Sequence, residues 1–184
     1  MYNLTPDQYD TFHLAAHNLC VLAQGDRYCH YYLEQLADYT SILTGTYPSQ
    51  DTLRKALDTA RSYNQDDSKA NCDAVIKLFI GPFSLQKQSQ LHNLTTAQYG
   101  ILRTTAHNLC MTANDKDLSD NHYQMYLLAD QIAILTGEFP EDSVCHKAAE
   151  KAKALGVGKS LDECMENAVK VLEVFLGSFT YDEE

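Results

Sequence analysis

Apolar residues recur along this chain with the 3.6-residue period of an α-helix, and no segment alternates like a strand over a useful length. From residue 9 to 23, steps of 100° per residue place one apolar face around Phe12. The other members of that face are Tyr9, Ala16, Leu19, Cys20 and Ala23. Cys110 occupies the equivalent place in a later helix. The pattern predicts amphipathic helices that bury one face.

Start and stop signals divide each half of the chain into four helices. The first helix begins at a capping box, Thr5-Pro6-Asp7-Gln8 in one half and Thr95-Thr96-Ala97-Gln98 in the other. The second ends at a Leu-Thr-Gly motif followed by Tyr or Phe and Pro. The third spans about 49–62 and 143–155, and the fourth ends at Phe-Ile-Gly or Phe-Leu-Gly. The prediction is an all-α protein of about eight helices.

The two halves are similar in sequence, which predicts a tandem duplication of a four-helix unit. Residues 3–20 and 93–110 share 10 of 18 positions, and 30–48 and 122–140 share 10 of 19. Repeats of this kind indicate repeated structural units. We therefore expect a first repeat over 1–84, a linker over 85–92 and a second repeat over 93–184.

Composition indicates a folded protein of the cytoplasm. Hydrophobic residues make up 45% of the chain, and no apolar run approaches the length that spans a bilayer. The first ten residues have neither the basic nor the apolar region of a signal peptide. We expect the six cysteines, none in a Cys-x-x-Cys pair, to be free thiols in a reducing compartment. No membrane association is predicted.

The net charge of −11 argues against direct binding of nucleic acid, whose phosphates are held mainly by Lys and Arg. Residues 91–184 hold 7 Lys and Arg against 15 Asp and Glu, a net charge of −8. Residues 1–90 hold 7 against 10, a net charge of −3. Such a field favours a basic protein partner.

The pentapeptide Ala-His-Asn-Leu-Cys occurs twice, at 16–20 and 106–110. Its Ala, Leu and Cys lie on the apolar face, whereas the histidine lies on the flank. A short hairpin between the first two helices would bring His17 near Glu34 or Asp38. The first candidates as partners are Asp38 for His17 and Asp130 for His107, with a nearby backbone carbonyl as the other possible acceptor. We expect a hydrogen bond in each half that ties the first helix to the second.

The alternative interpretation is a metal site, formed by a stripe of His, Cys and carboxylate side chains along the first two helices. His13 and His17 are spaced i, i+4, as are His30 and Glu34, so each pair shares one helix face. The second half has Arg103 and Tyr126 where the first has His13 and Glu34. The spacing matches no standard zinc pattern.

A catalytic role is not predicted. A nucleophile needs an adjacent base and an orienting group. Cys20 and His30 could be combined with a carboxylate in that way. However, Cys20 lies on the apolar face, where burial makes a thiol unreactive. We therefore predict neither an enzyme nor a cofactor.

The expected function is that of a small acidic interaction protein, such as an inhibitor, an immunity or anti-defence protein, or a chaperone. The alternative is a metal- or ligand-binding sensor that uses the His/Cys/carboxylate stripe. Two acidic clusters at opposite ends of the second helix of the second repeat are expected to meet the basic partner as separate patches. Tyr28 and Tyr31 are expected to point outward and contribute to an interface. The acidic residues are Asp115, Asp117 and Asp120 in one cluster, and Glu138, Glu141 and Asp142 in the other.

Overall fold

The computed structural model describes residues 2–25, 28–85, 93–114 and 118–181, and it is predominantly helical, which confirms the all-α prediction. The side chains of Leu118 and Ser119 are outside that description. The chain divides into two compact units, Met1–Ser89 and Gln90–Glu184. Each unit contains four of the eight helices found in the described residues.

The helices of the first unit follow the predicted start and stop signals. Helix α1 begins after Thr5, whose hydroxyl accepts from the Gln8 amide while the Gln8 side chain accepts from the Thr5 amide. Helix α2 ends at Gly45, whose φ of 78° suits glycine. The four helices are α1 Pro6–Leu22, α2 Cys29–Thr44, α3 Gln50–Ser62 and α4 Lys69–Ile80.

The core of the first unit surrounds α1, which packs against both α2 and α4. Phe12 is fully buried and meets Tyr39 of α2 edge to face, with ring centroids 5.9 Å apart. The predicted apolar face of α1 is buried along its whole length. The polar side chains of α1 that can contact the neighbouring helices therefore lie on the flank of its buried face.

The second unit repeats this order with α5 packed between α6 and α8. The Thr95 and Gln98 pair forms the same capping box as in the first unit. At the start of α8, Ser160 caps the Glu163 amide, but the Glu163 carboxylate accepts from the Lys159 amide and not from Ser160. The helices are α5 Thr96–Thr112, α6 Leu118–Thr136, α7 Asp142–Leu155 and α8 Leu161–Leu176.

Beside the helices, the described residues contain four very short strands. In the first unit β1 (Tyr2–Leu4) pairs in parallel with β2 (Phe83–Leu85), and in the second β3 (Asn93–Leu94) pairs in parallel with β4 (Thr180–Tyr181). Two or three residues are too few for alternation to be recognised in a sequence. Within each unit, these pairs join the segment before the first helix to the segment after the last.

Among the described residues, no helix is both long enough and apolar enough to cross a membrane.

Candidate functional site

The histidine of the first repeated pentapeptide contacts a different carboxylate from the predicted one. His17 Nδ1 lies 3.1 Å from Asp67 Oδ2, in the loop between α3 and α4, and both side chains are about 40% exposed. The predicted pairing with Asp38 is therefore wrong. The flank of α1 that carries His17 faces the start of α4, a side that the hairpin argument did not consider.

Asp38 lies in a half-buried acidic environment on α2. Burial, and then the charge of Glu34 one turn away, raise the pKa of Asp38 to about 6. The hydroxyl of Tyr47, beyond the end of α2, is close enough for both carboxylates to raise its pKa, although burial is the larger cause. Asp38 therefore holds a proton more tightly than an exposed aspartate does.

His107 does not pair with Asp130 among the described ion pairs and hydrogen bonds. It lines a cavity between α5 and α8, together with Arg103 one turn earlier on α5. Asp130 instead lies near Tyr123 of its own helix, and burial followed by the charge of Asp130 raises the pKa of that phenol. The same pentapeptide thus has different polar surroundings in the two units.

Four of the six cysteines are buried, and all six are free thiols in the structure. Burial is the main cause that raises the pKa of Cys20 to about 12 and that of Cys110 to about 11. The neighbouring thiol of Cys72 raises the Cys20 value further. Cys20 is therefore a poor nucleophile at neutral pH, because only the thiolate attacks.

A cleft between α6 and α7 has a volume of about 300 Å³. Two of its aromatic residues are open to solvent, Tyr126 by 69% and Phe139 by 47%. The complete lining is Asn121, His122, Met125, Tyr126, Ala129, Phe139, Pro140, Asp142, Cys145, His146 and Ala149. Exposed aromatic groups around a cleft are typical of binding surfaces.

The acidic residues predicted to bind a partner adjoin this cleft. Asp142 lines it, and Glu138 and Glu141 are exposed in the turn that joins α6 to α7. Asn121, which lines the other end, follows the exposed Asp120 directly. Asp142 lines the cleft, whereas Asp120 only precedes a lining residue, so the expectation of separate acidic patches stays a prediction. Asp115 and Asp117 lie outside the described residues.

The two candidate tyrosines of α2 have different exposure. Tyr28 is about half exposed at the N-cap of the helix, as expected for an outward ring. Tyr31 is only partly exposed, and its ring meets that of Tyr32 edge to face at 5.3 Å. The Tyr31 hydroxyl is buried, so the expectation of an outward ring at position 31 is wrong.

The residues of the alternative metal site do not form a group of ligands. His13 packs against the ring of Tyr9, with centroids 5.5 Å apart, and His17 pairs with Asp67. His30 and Glu34 are exposed on α2. Within the described part of the chain, no three His, Cys, Asp or Glu side chains are arranged to hold a metal ion.

Sequence reasoning did not identify Asp67, Tyr126 or Phe139 as site residues. Phe139 belongs to the Gly-x-(Tyr/Phe)-Pro motif that ends the second helix of each unit, so the recurrence of an aromatic residue there was an available signal. Tyr47 is the corresponding residue of the first unit and is half exposed. No comparable signal marks Asp67, because its role depends on how the helices pack.

Comparison of the chain with models of known protein families, with curated proteins and with solved structures found no significant match.

Proposed function

We propose that this protein is an interaction module that binds a basic segment of a protein partner in the cleft between α6 and α7. The observation that carries the proposal is the combination, in one cleft, of exposed aromatic side chains and an acidic border. Tyr126 and Phe139 supply the aromatic groups, and Asp142 with the adjacent Glu138 and Glu141 supplies the charge. The cleft would take an apolar side chain of the partner while Lys or Arg residues beside it meet the carboxylates.

The apolar lining supplies the affinity in this proposal. Met125, Ala129 and Pro140 line the same cleft and can cover one inserted side chain. Burial of a large apolar side chain contributes about 1.5–3 kcal/mol. Aromatic anchors in desolvated pockets dominate the energy of many interfaces. A single anchor of this kind gives a weak complex, which neighbouring contacts must strengthen.

The acidic border supplies orientation and rate. The three carboxylates are exposed, so their interactions with a partner are screened by solvent and salt. Charges on the rim of an interface mainly change the association rate and its dependence on salt. A partner with the opposite charge is therefore captured faster at low ionic strength than at high ionic strength.

The tandem repeat belongs to the same proposal. We infer that the chain arose by duplication of a four-helix unit, on the strength of the sequence identities and of capping boxes at Thr5 and Thr95. The second copy then diverged into the binding unit, since Glu34 of the first is replaced by Tyr126. The thiols of the chain suit a reducing compartment, so we place the protein in the cytoplasm.

Selection of peptides from a random display library tests the proposal. The purified full-length chain should enrich peptides that carry Lys or Arg on both sides of a Leu, Phe or Trp. Binding of one selected peptide is then measured by calorimetry and stopped-flow fluorescence. Replacement of Tyr126 and Phe139 by Ala should abolish binding through faster dissociation. Reversal of charge at Glu138, Glu141 and Asp142 to Lys should slow association severalfold at low salt and have little effect at high salt.

A matched variant separates the cleft from the general acidic field. Glu150, Glu166 and Glu173 are exposed on α7 and α8 and do not line the cleft, so their reversal to Lys changes the net charge equally. This control should bind nearly as the wild type does. If it slows association as much as the cleft variant, or if the selected peptides lack basic residues, the proposed site is wrong.

A further inference from the structure

A second cavity of the second unit lies between α5 and α8 and does not belong to the cleft described above. Its volume is about 160 Å³. Most of its lining is apolar and comes from α8, including Leu161, Met165 and Ala168. The remaining lining residues are Arg103, Thr104 and His107 of α5, and Cys164 of α8.

The polar wall of this cavity carries positive charge in an otherwise acidic unit. Arg103 and His107 are one helical turn apart and so point to the same side of α5. Neither forms an ion pair with a carboxylate among the described residues. A guanidinium group beside an apolar surface is suited to bind a planar carboxylate through two parallel hydrogen bonds.

In the first unit the corresponding histidine contacts a carboxylate, whereas among the described residues His107 does not. His17 pairs with Asp67, the residue immediately before the N-cap Ser68 of α4. The residue immediately before the N-cap Ser160 of α8 is Lys159. The sequence position that holds the anionic Asp67 in the first unit therefore holds the cationic Lys159 in the second.

An aromatic stack holds Arg103 in place. Its guanidinium carbon lies 5.3 Å from the centre of the Tyr99 ring, and Tyr99 stacks on Tyr181 of β4 with ring centroids 3.8 Å apart. A cation above an aromatic face is stabilised without losing its hydrogen-bond donors. The guanidinium group is also close enough to the Tyr99 hydroxyl for a side-chain hydrogen bond, so Tyr99 positions it and its remaining donors are left for a ligand.

We propose that the cavity between α5 and α8 binds a small carboxylate with an apolar body of about six carbon atoms. Arg103 and His107 hold the carboxylate, and Leu161, Met165 and Ala168 cover the apolar body. A cavity of about 150 Å³ accommodates a benzene ring, so the observed volume fits a ligand of this size. Net negative charge elsewhere in the unit weakens but does not cancel the local attraction, because exposed charges are screened beyond about 10 Å.

Benzoate is the probe for this proposal, and the full-length protein is the sample. Binding is followed by NMR shifts and by calorimetry, with benzamide and benzylamine as neutral and cationic analogues. We expect millimolar binding of benzoate, and about tenfold weaker binding of both analogues, because a charged hydrogen bond discriminates by about 1.4 kcal/mol or more. Arg103→Met should weaken benzoate to the level of benzamide, and Arg103→Lys should restore part of the affinity.

Two cysteines report separately on the two clefts of this unit. Cys164 lines the cavity between α5 and α8, and Cys145 lines the cleft between α6 and α7; both are partly exposed. Benzoate should slow alkylation of Cys164 by iodoacetamide and leave Cys145 unchanged, as measured by mass spectrometry. A basic peptide in the other cleft should do the reverse, so the two proposals can fail independently.

His17→Asn is the matched control, because His17 is the corresponding histidine of the other unit and is engaged with Asp67. It should bind benzoate as the wild type does, whereas His107→Asn should bind more weakly. Circular dichroism confirms that each variant is folded. The proposal is overturned if benzoate does not bind, if benzamide binds equally well, if Arg103→Met leaves the affinity unchanged, or if benzoate protects Cys145 and not Cys164.

Discussion

Replacement of Asp38 by Asn should stabilise the protein near neutral pH and have much less effect in acid. Burial and the charge of Glu34 raise the pKa of Asp38 from 3.8 to about 6 in the folded protein. The folded state therefore keeps a proton that the unfolded chain has already released between about pH 4 and pH 6. The free energy of unfolding falls as the pH rises through this window, and the full penalty remains above it.

The size of the effect follows from the difference between the folded and unfolded pKa values. At about 1.4 kcal/mol per pKa unit, the rise from 3.8 to about 6 corresponds to an upper limit of about 3 kcal/mol at pH 7. Asp38 is not fully enclosed, and water screens part of this penalty. We expect the asparagine variant to gain about 1–2 kcal/mol at pH 7 relative to pH 4.

Urea unfolding of the full chain, followed by circular dichroism near pH 4 and near pH 7, measures this difference. The amide of asparagine adds its own hydrogen bonds, but that contribution is common to both pH values and cancels in the comparison. Asp10→Asn, the same change at an exposed position of α1, is the matched control and should show no such increase. Glu34→Gln should stabilise less than Asp38→Asn and reduce its effect in the double variant, because Glu34 is the smaller cause.

An equal effect of Asp38→Asn at the two pH values would refute this reasoning, as would a loss of stability that grows with pH. The first result would mean that solvent reaches the carboxylate freely. The second would mean that Asp38 is held as a carboxylate by a cation in the folded chain.

Two further predictions concern buried groups. Gln131 is fully buried, and neither its side-chain oxygen nor its nitrogen has a hydrogen-bond partner among the described residues. Gln131→Leu should therefore raise the free energy of unfolding by about 1–3 kcal/mol, measured by urea titration. Gln98→Leu should lower the free energy of unfolding, because Gln98 accepts a hydrogen bond of 2.8 Å from the Thr95 amide. Equal effects of the two glutamine variants would contradict this reasoning. Iodoacetamide at about pH 8 should alkylate Cys145 and Cys164 at least about a hundredfold faster than Cys20, whose pKa of about 12 leaves only a trace of thiolate. Mass spectrometry measures the rates, and similar rates at Cys20 and Cys145 would show that the core of the first unit opens readily.

Helix boundaries and buried faces were predictable from the sequence because they depend on residues within one or two turns. The capping box at Thr5 needs only Gln8, and burial of Phe12 follows from the spacing of its apolar neighbours. The stop at Gly45 requires only a positive φ that glycine tolerates. Such signals are local, and the same letters recur in the second half of the chain.

The polar contacts were not predictable from spacing, because they depend on which helices become neighbours. The predicted hairpin contains only α1 and α2, whereas α1 also packs against α4, whose preceding loop supplies Asp67. The cleft between α6 and α7 depends in the same way on how far two helices separate. The exposure of Tyr126 and Phe139 is a property of that packing, since aromatic residues at such spacing are as often buried.

The pair of His17 and Asp67 should contribute little to stability, although its histidine belongs to a pentapeptide found in both halves of the sequence. Both side chains are about 40% exposed, and exposed ion pairs contribute at most about 1 kcal/mol. His17→Asn and Asp67→Asn should therefore each lower the free energy of unfolding by less than about 1 kcal/mol, measured by urea titration, with a double variant to give the coupling energy. His107→Asn, which breaks no described ion pair, is the matched change in the second unit and should cost no more. A coupling energy above about 2 kcal/mol would mean that the pair is shielded from water. The small expected values imply that the Ala, Leu and Cys of the pentapeptide account for its stabilising role, through burial. The histidine can then have different roles in the two units: His17 contacts Asp67, and His107 is available to the proposed carboxylate ligand.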